Sequence, residues 1–145
     1  MTVLDVTMRI IHTLFAGVWA GWTVFMAALV IPAAREGKLG ADGLRWMTRQ
    51  FSRFTSLSSL VLLISGGLMA STLYTIETLM RGSRGHLVLT MVALWFVLTG
   101  LSHVGSSRVK KNLDRGPSQA AKAATRLFYA ATVVALALLV VAGRL

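Results

Sequence analysis

The chain has 145 residues, of which 55% are hydrophobic, and 15 Lys and Arg against 5 Asp and Glu give it a formal net charge of +10. It contains no Cys, which excludes disulfides, thiolate metal sites and thiol catalysis. The length predicts one domain, residues 1–145. A nucleic-acid partner is not expected, because the basic residues are concentrated in two connections between apolar stretches.

Four uncharged stretches predict an all-α fold, an integral membrane four-helix bundle. They run for 25 residues after Arg9, 23 after Arg53, 23 after Arg84 and 17 after Arg126. A helix crosses about 30 Å of hydrocarbon with roughly 20 apolar residues, and flanking arginines can snorkel to the headgroups. The predicted spans cover about 8–32, 54–76, 86–107 and 125–143.

Local signals mark the ends of these helices in chain order. Thr2, followed three residues later by Asp5, forms a possible capping box and predicts that the first helix begins near residue 3. Pro32 predicts that the first helix ends near this residue. Residues 42–54 place apolar side chains on one helical face and arginines on another, which predicts an interfacial helix leading into the second span. The Gly-Pro-Ser sequence at 116–118 breaks the chain before the last helix.

The distribution of basic residues predicts the orientation in the membrane. Four basic residues flank the other ends of the spans, whereas the rest lie around the connections between spans one and two and between spans three and four. The positive-inside rule therefore places both termini outside and these connections on anionic headgroups. We expect a multi-pass protein of the plasma membrane. The residues of the two basic connections are Arg35, Lys38, Arg45, Arg49, Arg53, Arg108, Lys110, Lys111, Arg115, Lys122 and Arg126.

The four uncharged stretches contain no Asp, Glu, Lys or Arg by definition, which disfavours ion-coupled transport mechanisms that need charges deep in the membrane. The histidines are therefore the main candidates for a site. His12 and His86 are expected at similar heights near the outer face, whereas His103 lies about 25 Å deeper than His86. If spans one and three face each other, His12 and His86 form a pair of imidazoles that predicts axial ligation of haem b. Arg9 and Arg84 would then pair with the haem propionates.

Copper is the alternative cofactor or cargo. Met8 lies one turn before His12 on the same helical face, and Met69, Met80 and Met91 also fall toward the outer half. Thioether and imidazole groups suit cuprous ion, so Met8, His12 and His86 form the candidate metal ligands. The serines of span two, including Ser65, are expected to bond back to their own helix and to carry little functional weight.

A third hypothesis is a structural role without a cofactor. Gly17 and Gly21 have the spacing that allows close packing of membrane helices, which would suit a homo-oligomer or a larger membrane complex. No nucleophile, base and orienting acid occur together within a span. The sequence therefore gives no indication of an enzyme, and it leaves the question of catalysis open.

A further pattern in the sequence is formed by His12, Trp19, Gly21, Phe25, Pro32, Arg53, Phe54, Gly66 and Gly67. The pattern resembles the CopD-like copper-resistance membrane proteins over most of the chain, which implies a membrane bundle and a copper-handling or transport role. It is more distantly similar to the four-span HemJ-type protoporphyrinogen oxidases, which share a His in an early span. The HemJ pattern includes a membrane-embedded lysine, and no predicted span here contains one.

Overall fold

The computed structural model describes residues 2–145, and within this range it is helical and contains no strand. Four of its helices are long and apolar enough to cross a membrane, which confirms the predicted all-α four-span bundle. A further short helix connects the second span to the third. The helices are α1 (Val3–Arg35), α2 (Ala41–Leu73), α3 (Ile76–Arg81), α4 (Ser83–Asn112) and α5 (Pro117–Gly143).

Helix α1 begins as predicted but does not end at Pro32. The Thr2 Oγ1 accepts a hydrogen bond from the Asp5 N–H at 3.1 Å, and the Thr2 N–H donates to the Asp5 carboxylate at 3.0 Å. Near the other end, Met26–Val30 forms a π-helical turn, after which α-helix resumes over Ile31–Arg35. Pro32 then lies in the first turn of the resumed α-helix, where its missing N–H is tolerated.

The four long helices pack in a ring in the order α1, α2, α4 and α5. Helices α1 and α4 therefore lie diagonally across the bundle. The tightest interface joins α4 to α5, where a Cβ added at Gly105 would lie 3.3 Å from the Phe128 ring. Small residues at such positions let membrane helices approach closely.

The two basic connections lie at the same end of the bundle, which we call the basic end. There the Ser118 hydroxyl donates to the Arg35 carbonyl at 3.0 Å, joining the start of α5 to the end of α1. A buried cluster at this end includes Ala34, Leu44 and Leu113. The opposite end, which we call the terminal end, carries the starts of α1 and α4.

Helix α2 continues without interruption from its amphipathic first turns into the membrane span. Leu44 and Phe51 are fully buried, whereas Arg45, Arg49 and Arg53 are exposed. This arrangement matches the two faces that the sequence predicts for residues 42–54.

Candidate functional site

His12 is anchored to α2 from its position in the terminal half of α1. Its Nδ1 lies 2.8 Å from the Ser65 Oγ, and the contact is partly buried. The Ser65 hydroxyl also lies 2.7 Å from the Val61 carbonyl oxygen. A carbonyl oxygen can only accept, so the single hydroxyl proton goes to Val61.

This hydrogen-bond pattern assigns the tautomer of His12. With the Ser65 proton committed to Val61, the imidazole donates from Nδ1–H to the Ser65 Oγ. The Nε2 atom then carries the free electron pair. Metal-binding histidines are commonly oriented in this way, because a hydrogen bond to one ring nitrogen fixes the tautomer and the ring direction at the other.

Gly66 provides the space that the His12 ring occupies. A Cβ added at Gly66 would lie 3.1 Å from the His12 Cε1 atom, whereas one added at Gly67 would meet no atom within 4 Å. The two neighbouring glycines therefore differ in their surroundings. Gly66 shapes the position of the imidazole, and Gly67 does not touch it.

Two methionines lie one turn beyond the His12–Ser65 contact. Because α1 and α2 are antiparallel neighbours, a step of one turn toward the terminal end reaches Met8 on α1 and Met69 on α2. Both side chains are half-buried. The sequence alone placed Met69 no more exactly than in the outer half. The His12–Ser65 hydrogen bond fixes how α1 and α2 are aligned along their length, and this alignment brings Met69 level with Met8.

His86 is exposed at the start of α4 and bonds locally. Its Nε2 lies 2.8 Å from the Met80 carbonyl oxygen, so Nε2–H is the donor in this bond. Helices α1 and α4 are diagonal rather than packed neighbours. Arg9 and Arg84 are both exposed. These observations do not test haem binding. The bis-histidine haem site with Arg9 and Arg84 stays a prediction from the sequence.

The described residues 2–145 contain no group of three or more His, Cys, Asp and Glu side chains that could hold a metal. His103, on the basic half of α4, is exposed. Thioether sulfur together with imidazole is a different donor set, one that suits a soft metal ion. The Met8, His12 and Met69 positions offer that combination.

Hydroxyl groups are unusually abundant in the bundle core. The Trp19 indole N–H donates to the Thr55 hydroxyl, and the Trp95 indole N–H donates to the Ser59 carbonyl, each at 3.2 Å. Several other buried hydroxyls have no partner within residues 2–145, so back-bonding to the helix does not account for all of them. These are the hydroxyls of Thr48, Ser58, Thr99, Ser102 and Ser106.

We expect Ser102→Ala to raise the free energy of unfolding in detergent by about 1 kcal/mol, because an unpaired buried hydroxyl carries its desolvation penalty. Ser71→Ala is the control, since Ser71 is exposed and bonds to the Leu68 carbonyl; its effect should stay within about 0.5 kcal/mol. Reversible unfolding followed by circular dichroism measures both. Destabilisation by Ser102→Ala would show that this hydroxyl has a favourable partner.

Comparison with known families identifies the chain. The family model described as copper resistance protein D matches residues 45–145. The chain belongs to the CopD family. No curated protein and no solved structure matches it.

Membership of the CopD family, together with four helices able to cross a bilayer, makes this a multi-pass membrane protein. The matched region of this CopD protein includes most of α2 and all of α4 and α5. Ser65, Gly66, Met69 and His86 fall inside it, and His12 precedes it. The family assignment supports a copper-related membrane function.

Proposed function

We propose that this CopD family protein binds cuprous ion at the terminal end of the bundle, with His12, Met8 and Met69 as ligands. The observation that carries the proposal is the Nδ1–H bond from His12 to Ser65, which leaves Nε2 as the metal-binding nitrogen. Copper is the cargo in this account, and the bundle handles it at the membrane surface.

The chemistry of the three side chains supports a soft cation. Thioether sulfur selects cuprous ion over harder divalent ions, and neutral imidazole is a good copper ligand. None of the three ligands carries a negative charge, so a bound Cu⁺ keeps its charge and is held less tightly than in a thiolate site. This degree of binding suits an ion that must later be released.

The location of the site also supports a role in copper handling. Both half-buried methionines lie between His12 and the terminal end, so they lie nearer to water than the imidazole does. The positive-inside rule supports a basic end in the cytoplasm, which would place the copper site and both termini outside. His86, exposed at the same end, is a candidate for first contact with the ion.

A titration with cuprous ion tests this proposal. The purified protein in mild detergent, kept under a reductant, competes with a coloured cuprous chelator of known affinity. We expect saturable binding of one copper ion per chain, and we expect Zn²⁺ not to compete because it favours harder ligands than thioethers. Absence of saturable Cu⁺ binding would overturn the proposal.

We expect Gly66→Ala to weaken Cu⁺ binding by on the order of tenfold, because disturbing a group that orients a ligand typically costs at least this much. The added Cβ would press on the His12 Cε1 atom from 3.1 Å and turn the ring away from Ser65. Gly67→Ala is the matched control and should bind copper as the unaltered protein does. Equal affinities of the two variants in the chelator titration would contradict the assigned role of Gly66.

The haem b alternative is tested with the same preparation. A six-coordinate haem between His12 and His86 gives a sharp Soret band that shifts on reduction, with resolved α and β bands. The protein must be purified from haem-sufficient cells for this test. If the protein gives such a spectrum and the His12→Ala variant does not, His12 binds haem iron rather than copper.

A further inference from the structure

A groove runs along the outside of the bundle between α1 and α2, on the basic-end side of the proposed copper site. Its volume is about 340 Å³ and its lining is almost entirely apolar. Gly21 leaves it open, because a Cβ added there would meet no atom within 4 Å. The lining residues are Val18, Gly21, Trp22, Phe25, Trp46 and Met47.

The groove extends from the basic end into the membrane. Trp22 and Phe54 stack with ring centroids 5.1 Å apart, which sets these two positions at the same height. Trp46 lies eight residues before Phe54 on α2, or about 12 Å nearer the basic end. Val18 lies one turn beyond Trp22 in the opposite direction, about 6 Å toward the terminal end. The groove therefore extends about 18 Å along the helix axes, of which about 12 Å lie on the basic-end side of Phe54, where the predicted second span begins.

Positive charge borders this groove at the headgroup level. Arg45, Arg49 and Arg53 follow one another at four-residue spacing on α2, beside Trp46, and all three are exposed. Arg45 pairs with the exposed Asp42 at 3.2 Å. Neither Arg49 nor Arg53 has an ion pair within residues 2–145. Two guanidinium groups one turn apart can hold one phosphate between them.

We propose that this groove is a specific site for one anionic phospholipid. The phosphate is bound by Arg49 and Arg53, and one acyl chain lies in the deeper part of the groove, along Trp22, Gly21 and Val18. Trp46 lies nearer the basic end than either arginine, on the headgroup side of the site, where aromatic residues are enriched. Charge complementarity selects an anionic lipid, since a zwitterionic headgroup would place its own ammonium group beside the arginines.

Native mass spectrometry of the protein with added phosphatidylglycerol or phosphatidylcholine tests the site. We expect one phosphatidylglycerol molecule to be retained at activation energies that remove phosphatidylcholine. The double variant Arg49→Gln, Arg53→Gln should lower phosphatidylglycerol retention by on the order of tenfold. A matched double variant, Arg108→Gln with Lys110→Gln, removes the same charge from the basic end on α4 and should retain the lipid.

Gly21→Leu provides a second, uncharged test, because Gly21 lines the groove and a Cβ added there would meet no atom within 4 Å. This variant should lose the retained lipid, and unchanged Cu⁺ binding at the proposed copper site would show that the bundle is folded. The proposal is overturned if both lipids are retained equally, if both double variants behave alike, or if a second copy of the chain occupies this face in the mass spectrum.

Discussion

His12→Ala is expected to lower the affinity for cuprous ion by on the order of 100-fold or more, which exceeds the usual effect of altering a group that only orients a ligand. The substitution removes Nε2, the only nitrogen ligand in the proposed Met8, His12 and Met69 site. Two thioethers remain, and neutral sulfur alone holds the ion weakly. Competition with a coloured cuprous chelator measures the change.

Two further variants distinguish a specific copper site at His12 from non-specific binding by histidines. His103→Ala removes an exposed imidazole on the basic half of α4 and should leave the affinity unchanged. Ser65→Ala keeps the His12 ring but removes its hydrogen-bond partner, so its cost should be about tenfold. An affinity that falls equally in the His12 and His103 variants would point to non-specific copper binding by surface imidazoles and contradict the assignment.

Gly85→Ala is expected to destabilise the protein by about 3 kcal/mol, the upper part of the range for overpacking a closely packed position. Gly85 is buried where α3 turns into α4, and an added Cβ would lie 2.5 Å from the Thr78 carbonyl oxygen and closer still to that of Leu79. Backbone atoms of a short turn cannot move away as a flexible side chain can, so α3 must shift.

Gly100→Ala is the matched control for this prediction. Gly100 lies in the interior of the same helix, α4, and an added Cβ there would meet no atom within 4 Å. Alanine has the higher helix propensity, so this variant should be more stable by about 0.5–1 kcal/mol. Unfolding in detergent, followed by circular dichroism, measures both. Similar stability of the two variants would show that the α3–α4 turn is not closely packed at Gly85.

The spans could be predicted because bilayer thickness imposes a minimum apolar length that is visible in the sequence. Their ends were harder to predict. Pro32 is a strong signal for the end of a helix, but the π-helical turn Met26–Val30 restarts the helical register just before it, and α1 continues to Arg35. One sequence does not reveal such a local change in hydrogen bonding.

The site was only partly predictable for a related reason. His12 stands out because an ionisable side chain in a span is rare. Ser65 does not stand out in the sequence, because serine commonly bonds back to its own helix. In the structure it donates to the Val61 carbonyl and also accepts a hydrogen bond from His12. The pairing of Met8 with Met69 depends on how α1 and α2 are aligned along their length. That alignment follows from packing between helices, which a single sequence does not specify.

Copper K-edge X-ray absorption of the Cu⁺-loaded protein tests the central claim most directly, because it reports the atoms bound to the metal. The account predicts a shell of one imidazole nitrogen and two thioether sulfurs, with the nitrogen component lost in His12→Ala and one sulfur lost in Met69→Leu. A first shell of nitrogen and oxygen without sulfur, or a spectrum unchanged by His12→Ala, would contradict a copper site built from Met8, His12 and Met69.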